Sequence, residues 1–68
     1  MTFPIELEQE TDGRWIAEIV ALPGGLAYGM TPTDATSKVQ ALALRVLADR
    51  MEQGEAVAEL LNVSFQAA

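Results

Sequence analysis

An Asp12-Gly13 pair between two strand-like segments is the feature that most constrains the fold of this chain. Phe3 to Gln9 alternates apolar side chains with glutamates, and Arg14 to Val20 is again rich in strand-forming residues. A repeat of two residues is typical of a strand that buries one face. Because Asp-Gly tolerates the positive φ angles of a tight turn, these residues predict an antiparallel β-hairpin.

A bend is predicted after the hairpin, at Leu22-Pro23-Gly24-Gly25, because proline cannot donate to a β ladder and glycine permits unusual backbone geometry. A short third strand is predicted over Leu26–Gly29, returning beside the hairpin. Thr31 suits the N-cap of a helix, and the proline after it suits the first helical turn. We therefore predict a helix from about Pro32 to Gln53, with Gly54 just past its end.

Two apolar stripes are expected along this helix. The first consists of Ala35, Val39, Leu42, Ala43 and Val46, with Leu47 near it, and the second consists of Ala41, Leu44, Ala48 and Met51. One stripe covers one face of a small sheet, so the second either widens the core-facing surface or meets another subunit. Because a short chain without Cys has a small core and no disulfides, we favour self-association. The expected contact residues of a homodimer or larger homo-oligomer are Leu44, Ala48 and Met51.

The remaining segments complete a single expected domain over residues 1–68. Glu55 to Leu61 fits either a helical turn or an extended connection, and both alternatives stay open. Asn62 to Gln66 is predicted as a fourth strand, with Val63 and Phe65 on one face. The expected architecture is α+β in the order β-β-β-α-β, with a small antiparallel-rich sheet and one long helix packed on one face.

Composition narrows the function classes. The chain has neither Cys nor His, so it lacks thiol nucleophiles, the commonest general base and the commonest metal ligands. No glycine spacing matches a phosphate-binding loop. We therefore expect no enzymatic activity, no cofactor and no metal site.

The charge balance also constrains partners and location. Ten acidic and four basic residues give a net charge of −6, which repels nucleic acid and anionic membranes and attracts basic proteins. Simple solubility is the alternative explanation. No basic segment follows Met1, and no apolar run approaches the ~20 residues of a membrane span. A cytoplasmic protein that contacts neither membranes nor nucleic acid is expected.

A set of motifs resembles the HicB-type antitoxin domain over about residues 3 to 53. The resemblance is carried by Asp12-Gly13-Arg14-Trp15-Ile16-Ala17-Glu18, Leu22-Pro23-Gly24, Gly29, Thr31 and Asp34-Ala35. It implies a fold similar to a reduced ribonuclease H fold. The matching residues have scaffold roles: Asp12, Gly13, Ala17, Leu22, Pro23, Gly24, Gly29, Thr31 and Ala35. Ala17 is expected beneath the helix, and Gly24 and Gly29 at tight bends flanking the third strand.

The resemblance implies a partner rather than a reaction. HicB-type domains bind and neutralise a small basic RNA-cleaving toxin, HicA, so an acidic face is expected to meet such a protein. Its predicted residues are Glu6, Glu8, Glu10 and Asp12. The alternative is a stand-alone, self-associating HicB-like protein without a toxin. A metal-dependent nuclease using these carboxylates and Glu18 is disfavoured, since a solvated strand face explains them and also discourages edge pairing.

Three departures from the family pattern limit what can be transferred. Gly25 stands where Cys is frequent, and Asp34 stands where Glu is usual. The chain also has no segment after the fourth strand for a DNA-binding domain, so operator binding is not expected. Trp15 is predicted in the core or at its rim, and Tyr28 is a candidate for an exposed partner contact.

Overall fold

Four strands and one helix make up residues 2–54 and 62–67, the part of the chain that the computed structural model describes. The elements are β1 (Thr2–Gln9), β2 (Trp15–Glu18), β3 (Leu26–Gly29), α1 (Pro32–Glu52) and β4 (Ser64–Ala67). This order confirms the predicted α+β class and the order β-β-β-α-β. The two alternatives for Glu55 to Leu61 fall outside the described residues.

The strands form one mixed sheet in the order β3-β2-β1-β4. β2 is antiparallel to both β1 and β3, whereas β4 lies parallel to β1 at the other edge. The β1–β2 connection is the predicted hairpin. Gly13 has a φ of 94°, and the Glu10 N–H donates to the Arg14 carbonyl at 2.7 Å.

β2 is shorter than predicted, ending at Glu18 rather than two residues later. The Ile19 N–H donates to the Gly25 carbonyl at 2.7 Å, and the Leu22 N–H donates to the Ile19 carbonyl at 3.0 Å. The chain is therefore already turning at Ile19. Gly24 has a φ of 78°, which confirms a tight bend there. Since the Ile19 and Leu22 side chains are buried, this bend closes one end of the core.

The helix begins where the sequence predicts because Thr31 caps it. Thr31 is extended, and its hydroxyl accepts a hydrogen bond from the Asp34 N–H at 3.0 Å. The helix ends at Glu52, one residue before the predicted end. Gly54 follows with a φ of 82°, the left-handed conformation that commonly terminates helices.

The core lies between α1 and one face of the sheet. Its members are Phe3, Ile5, Ala17, Ile19, Leu22, Ala35, Val39, Ala43 and Leu47. The helix thus contributes a row of residues at four-residue spacing, which places Leu47 in the core and leaves Leu42 and Val46 only half-buried. The prediction of the first stripe is therefore confirmed for Ala35, Val39 and Ala43 and was wrong in ranking Leu42 and Val46 above Leu47. Two alanines in this row allow the helix to lie close to the sheet.

The chain bends directly after Gly29, at Met30 and Thr31, and Gly29 has a second role beyond this expected bend. A Cβ atom built at this glycine would lie 2.8 Å from the Ala35 Cα and 2.8 Å from an Asp34 carboxylate oxygen. Its φ is not among the positive values found at Gly13, Gly24 and Gly54. The absent side chain therefore permits close approach between the end of β3 and the first turn of α1.

Trp15 takes its predicted place at the rim of the core, whereas β4 begins at Ser64, two residues later than predicted, and ends at Ala67. Trp15, Val63 and Phe65 are partly buried and pack against the core, and the rings of Phe3 and Phe65 are 5.9 Å apart. This contact joins β4 to β1. Among the described residues, α1 is not apolar enough over a sufficient length to cross a bilayer.

Candidate protein-binding face

The helix covers one face of the sheet, and we call the opposite one the open face. The alternation of the strands and their register assign its residues: Thr2, Pro4, Glu6, Glu8, Ile16, Glu18, Leu26, Tyr28, Ser64 and Gln66. Within residues 2–54 and 62–67, no secondary-structure element packs on this face. The open face is therefore a regular surface that the described elements leave available to another molecule.

Three carboxylates gather in the middle of the open face, and we call them the acidic patch: Glu6, Glu8 and Glu18. Glu6 lies directly opposite Glu18 in the β1–β2 register, and Glu8 lies opposite Ile16. Side chains at directly opposite positions of an antiparallel pair have Cβ atoms only ~5 Å apart. The patch borders a shallow depression of about 410 Å³.

The acidic patch has no internal counter-charge. The ion pairs among the described residues join Arg14 to Asp12 and Lys38 to Asp34, and neither includes a patch carboxylate. Like charges placed directly opposite each other destabilise a sheet. Since the Glu6–Glu18 pairing opposes folding, a contribution to stability does not explain these carboxylates.

Apolar side chains surround the acidic patch. Leu26 lies opposite Glu18, and Tyr28 lies opposite Ile16. Leu26 and Tyr28 are each about two-fifths exposed, and Val20, two residues after β2, is 65% exposed. A second depression of about 340 Å³ is lined by Pro4, Glu6, Val20 and Ala21. The open face can thus offer apolar contact and negative charge side by side.

The hairpin tip separates Asp12 from the acidic patch. The Arg14 side chain pairs with an Asp12 carboxylate oxygen at 2.8 Å, and the Arg14 backbone N–H donates to the other oxygen at 3.1 Å. These contacts, the backbone hydrogen bond first, lower the pKa of Asp12 below its usual value. The same guanidinium lies 4.6 Å from the centre of the Tyr28 ring. Asp12 therefore already has a cationic partner within the chain.

Of the predicted acidic residues, the structure thus places Glu6 and Glu8 at the centre of the open face. Glu10 is half-buried just after β1, and Asp12 is tied to Arg14 at the tip. Glu18 belongs with the first two, although the sequence analysis considered it only for metal binding. Counting residues outward from the Asp12-Gly13 turn could have found it. That any of these residues binds a partner stays a prediction.

The structure also shows what the face lacks among its described residues. No three acidic side chains in residues 2–54 and 62–67 come together in an arrangement that could hold a metal ion. The carboxylates of the acidic patch stand in rows along exposed strands rather than converging on one point. Contact with a complementary protein surface is the chemistry that such a row supports best.

The residues predicted for self-association lie elsewhere, on the outer side of α1. Leu44 is 53% exposed and Met51 is 48% exposed, and Ala48 between them is also exposed. The second apolar stripe is thus a surface feature of the single chain. Its use for self-association remains a prediction.

No protein-family model, curated protein or solved structure matches this chain. The resemblance to HicB-type domains therefore rests on the motif residues named above. Among these residues, Asp12-Gly13 lie at the hairpin turn, Leu22-Pro23-Gly24 at the bend after β2, and Thr31 at the helix N-cap.

Proposed function

We propose that this chain is a non-catalytic binding domain, similar to HicB antitoxins, whose open face binds and neutralises a small basic RNA-cleaving protein of the HicA type. The observation that supports this best is the acidic patch: Glu6 and Glu18 stand opposite each other, and the described part of the chain supplies them with no cation. A lysine or arginine from a partner would relieve that repulsion.

Apolar contact and charge have separate roles in this proposal. Leu26, Tyr28 and Val20 supply the exposed apolar area, and burial of apolar area stabilises a complex by roughly 25 cal/mol per Å² before the costs of association. The carboxylates speed encounter and exclude partners of the wrong charge. High salt should therefore weaken binding by screening the charges. It should not abolish binding, because the apolar contacts remain.

The charge also favours a protein over a nucleic acid as the direct partner. A net charge of −6 repels phosphate backbones, and the acidic patch lies on the face that the described elements leave uncovered. A toxin that cleaves RNA uses basic residues to hold its substrate, so an acidic surface can compete with RNA for them. A cytoplasmic location belongs to the same proposal, since cellular RNA is the target of such a toxin.

The test is affinity capture from the source cells with three forms of the tagged chain. Glu18→Lys reverses a charge in the acidic patch, whereas Asp49→Lys reverses an exposed charge on α1. Each adds two positive units to the net charge of −6, so the two variants are matched in overall charge. Wild type and Asp49→Lys should retain a small basic protein at low salt, and Glu18→Lys should not.

Circular dichroism on the purified variants controls for folding. Equal retention by all three forms would contradict the assignment of the open face. Failure of the wild type to retain any small basic protein would contradict the proposed partner.

A further inference from the structure

A second surface on which no other described element packs lies on α1, and we call it the outer stripe: Ala41, Leu44, Ala48 and Met51. Each helical residue turns by about 100°, so Ala48 lies about 180° around the helix from the buried Val39. Leu44 and Met51 are 53% and 48% exposed. Ala41 and Ala48 therefore face away from the core, on the opposite side of the molecule from the open face. Leu44 and Met51 lie at one margin of the stripe, about 60° and 40° around the helix from the buried Leu47.

Charged residues flank one side of this stripe. Arg45 and Glu52 are both exposed, and neither forms an ion pair among the described residues. Seven residues span nearly two helical turns, so Arg45 lies above Glu52 on the same flank. Leu44 lies above Met51 in the same way, within the stripe.

We propose that the outer stripe binds a second copy of this chain, as an antiparallel helix pair whose two-fold axis passes close to Ala48. Reversal of the second helix brings Leu44 against Met51 of the second copy, and Arg45 against Glu52 of the second copy. Each pair is matched in height to about one residue, or ~1.5 Å. Small alanines at and near the axis allow the two helices to approach closely.

Charge decides between this arrangement and its alternatives. In a parallel pair, Arg45 and Glu52 would lie on the opposite flank from their counterparts, so neither would meet the opposite charge of the second copy. Pairing through the open faces would bring two acidic patches together, and like-charge contact across an interface is costly. The antiparallel helix pair is the arrangement in which apolar and charged residues are both complemented.

The dimer should be weak. One stripe of four side chains offers well under the ~800 Å² per partner of a standard stable interface. We therefore expect association at about 0.1 mM chain rather than in the nanomolar range. Since the helices would lie inside the dimer, both open faces would point outward. This proposal does not depend on the proposed function.

Sedimentation equilibrium from about 10 µM to about 1 mM chain tests the pairing. Ala48→Glu puts two like charges at the two-fold axis and should weaken the dimer by about a hundredfold or more. Ala21→Glu makes the same exchange at an exposed position on a bend and should leave the dissociation constant unchanged. Circular dichroism should show the same helix content in both variants.

A charge exchange then tests the orientation. Arg45→Glu and Glu52→Arg should each weaken the dimer about threefold to tenfold, because each replaces two exposed ion pairs by like-charge contacts. The double variant restores opposite charges and should recover the wild-type dissociation constant. A wild-type monomer at 1 mM, an unaffected Ala48→Glu variant, or a double variant no tighter than the single ones would overturn the proposal.

Discussion

Gly29→Ala tests how the helix is seated on the sheet. The added Cβ would lie 2.8 Å from the Ala35 Cα and 2.8 Å from an Asp34 carboxylate oxygen. Ordinary carbon–carbon contacts are ~3.5–4.0 Å, so the first turn of α1 must move by about 1 Å. The atoms in the way belong mainly to the helix backbone, which cannot rotate aside as a side chain can.

The cost can be assembled from three contributions. Overpacking of this kind costs ~1–3 kcal/mol, and disturbance of the Thr31 cap adds up to ~1 kcal/mol. Because Gly29 does not have a positive φ, alanine regains ~0.4–1 kcal/mol by restricting the unfolded chain. The net loss is about 2 kcal/mol, which for a domain of this size lowers Tm by ~8–16 °C.

Urea unfolding followed by circular dichroism measures this loss of free energy. The dependence of the free energy on urea concentration should be the same in the variant and the wild type. Gly13→Ala is the control, since its Cβ would meet no atom within 4 Å and the cost is confined to the positive φ of 94°, or about 1 kcal/mol. Gly29→Ala should be the more damaging of the two. A Gly29→Ala variant as stable as wild type would refute the close approach of β3 and α1.

Three further predictions concern stability. Glu18→Gln should raise the free energy of unfolding by ~0.2–0.5 kcal/mol in urea unfolding, because it removes the like-charge contact with Glu6. Thr31→Ala should lower the free energy of unfolding by about 1 kcal/mol through loss of the helix cap. The helical circular dichroism signal of this variant should be lost at a lower urea concentration than that of the wild type. The Lys38 ammonium, and after it the Met30 N–H, lower the pKa of Asp34 below its usual 3.8. The stabilisation that the Asp34 carboxylate contributes is therefore present above about pH 4 and is lost as the pH falls through the lowered pKa. Asp34→Asn should reduce the loss of stability at acid pH, measured by urea unfolding at several pH values.

Matched controls sharpen these measurements. Asp49→Asn removes an exposed helix charge outside the acidic patch, so it should not reproduce the gain expected of Glu18→Gln. Thr33→Ala changes an exposed threonine two residues after the cap, and it should leave stability within ~0.5 kcal/mol of wild type. A loss at Thr33→Ala as large as at Thr31→Ala would contradict the capping role.

Local sequence signals predicted the elements well where the chemistry is local. The strand Leu26–Gly29 was predicted with its observed bounds, since a glycine precedes it and another is its last residue. Thr31 likewise marked the helix start, because a capping hydroxyl acts within three residues of its own position. The positive φ of Gly13 was expected from the Asp-Gly turn alone.

Contacts between distant segments could not be read in the same way. That β4 lies parallel to β1 depends on where the chain returns after α1, which no local pattern states. The choice of Leu47 over Leu42 for the core depends on how the helix crosses the sheet. The close approach at Gly29 depends on residues in another element, so the sequence predicted only the bend that follows it at Met30 and Thr31.

The candidate face was predictable in part. Alternation along β1 placed Glu6 and Glu8 together on one side. Glu18 joins them only through the register of the β1–β2 pair, and Asp12 leaves them because Arg14 folds back on it. Side-chain pairing at a turn tip is decided by the folded geometry, which composition and charge alone do not reveal.

The most direct test of the central claim is a map of the contact surface by amide chemical shifts, with the basic protein retained in the capture experiment added to the labelled chain. We expect the largest changes along β1, β2 and β3, around Glu6, Ile16 and Tyr28, and little change at Leu44 and Met51 on the outer side of α1. Changes confined to α1, or none at saturating partner, would contradict the claim that the open face is the binding surface.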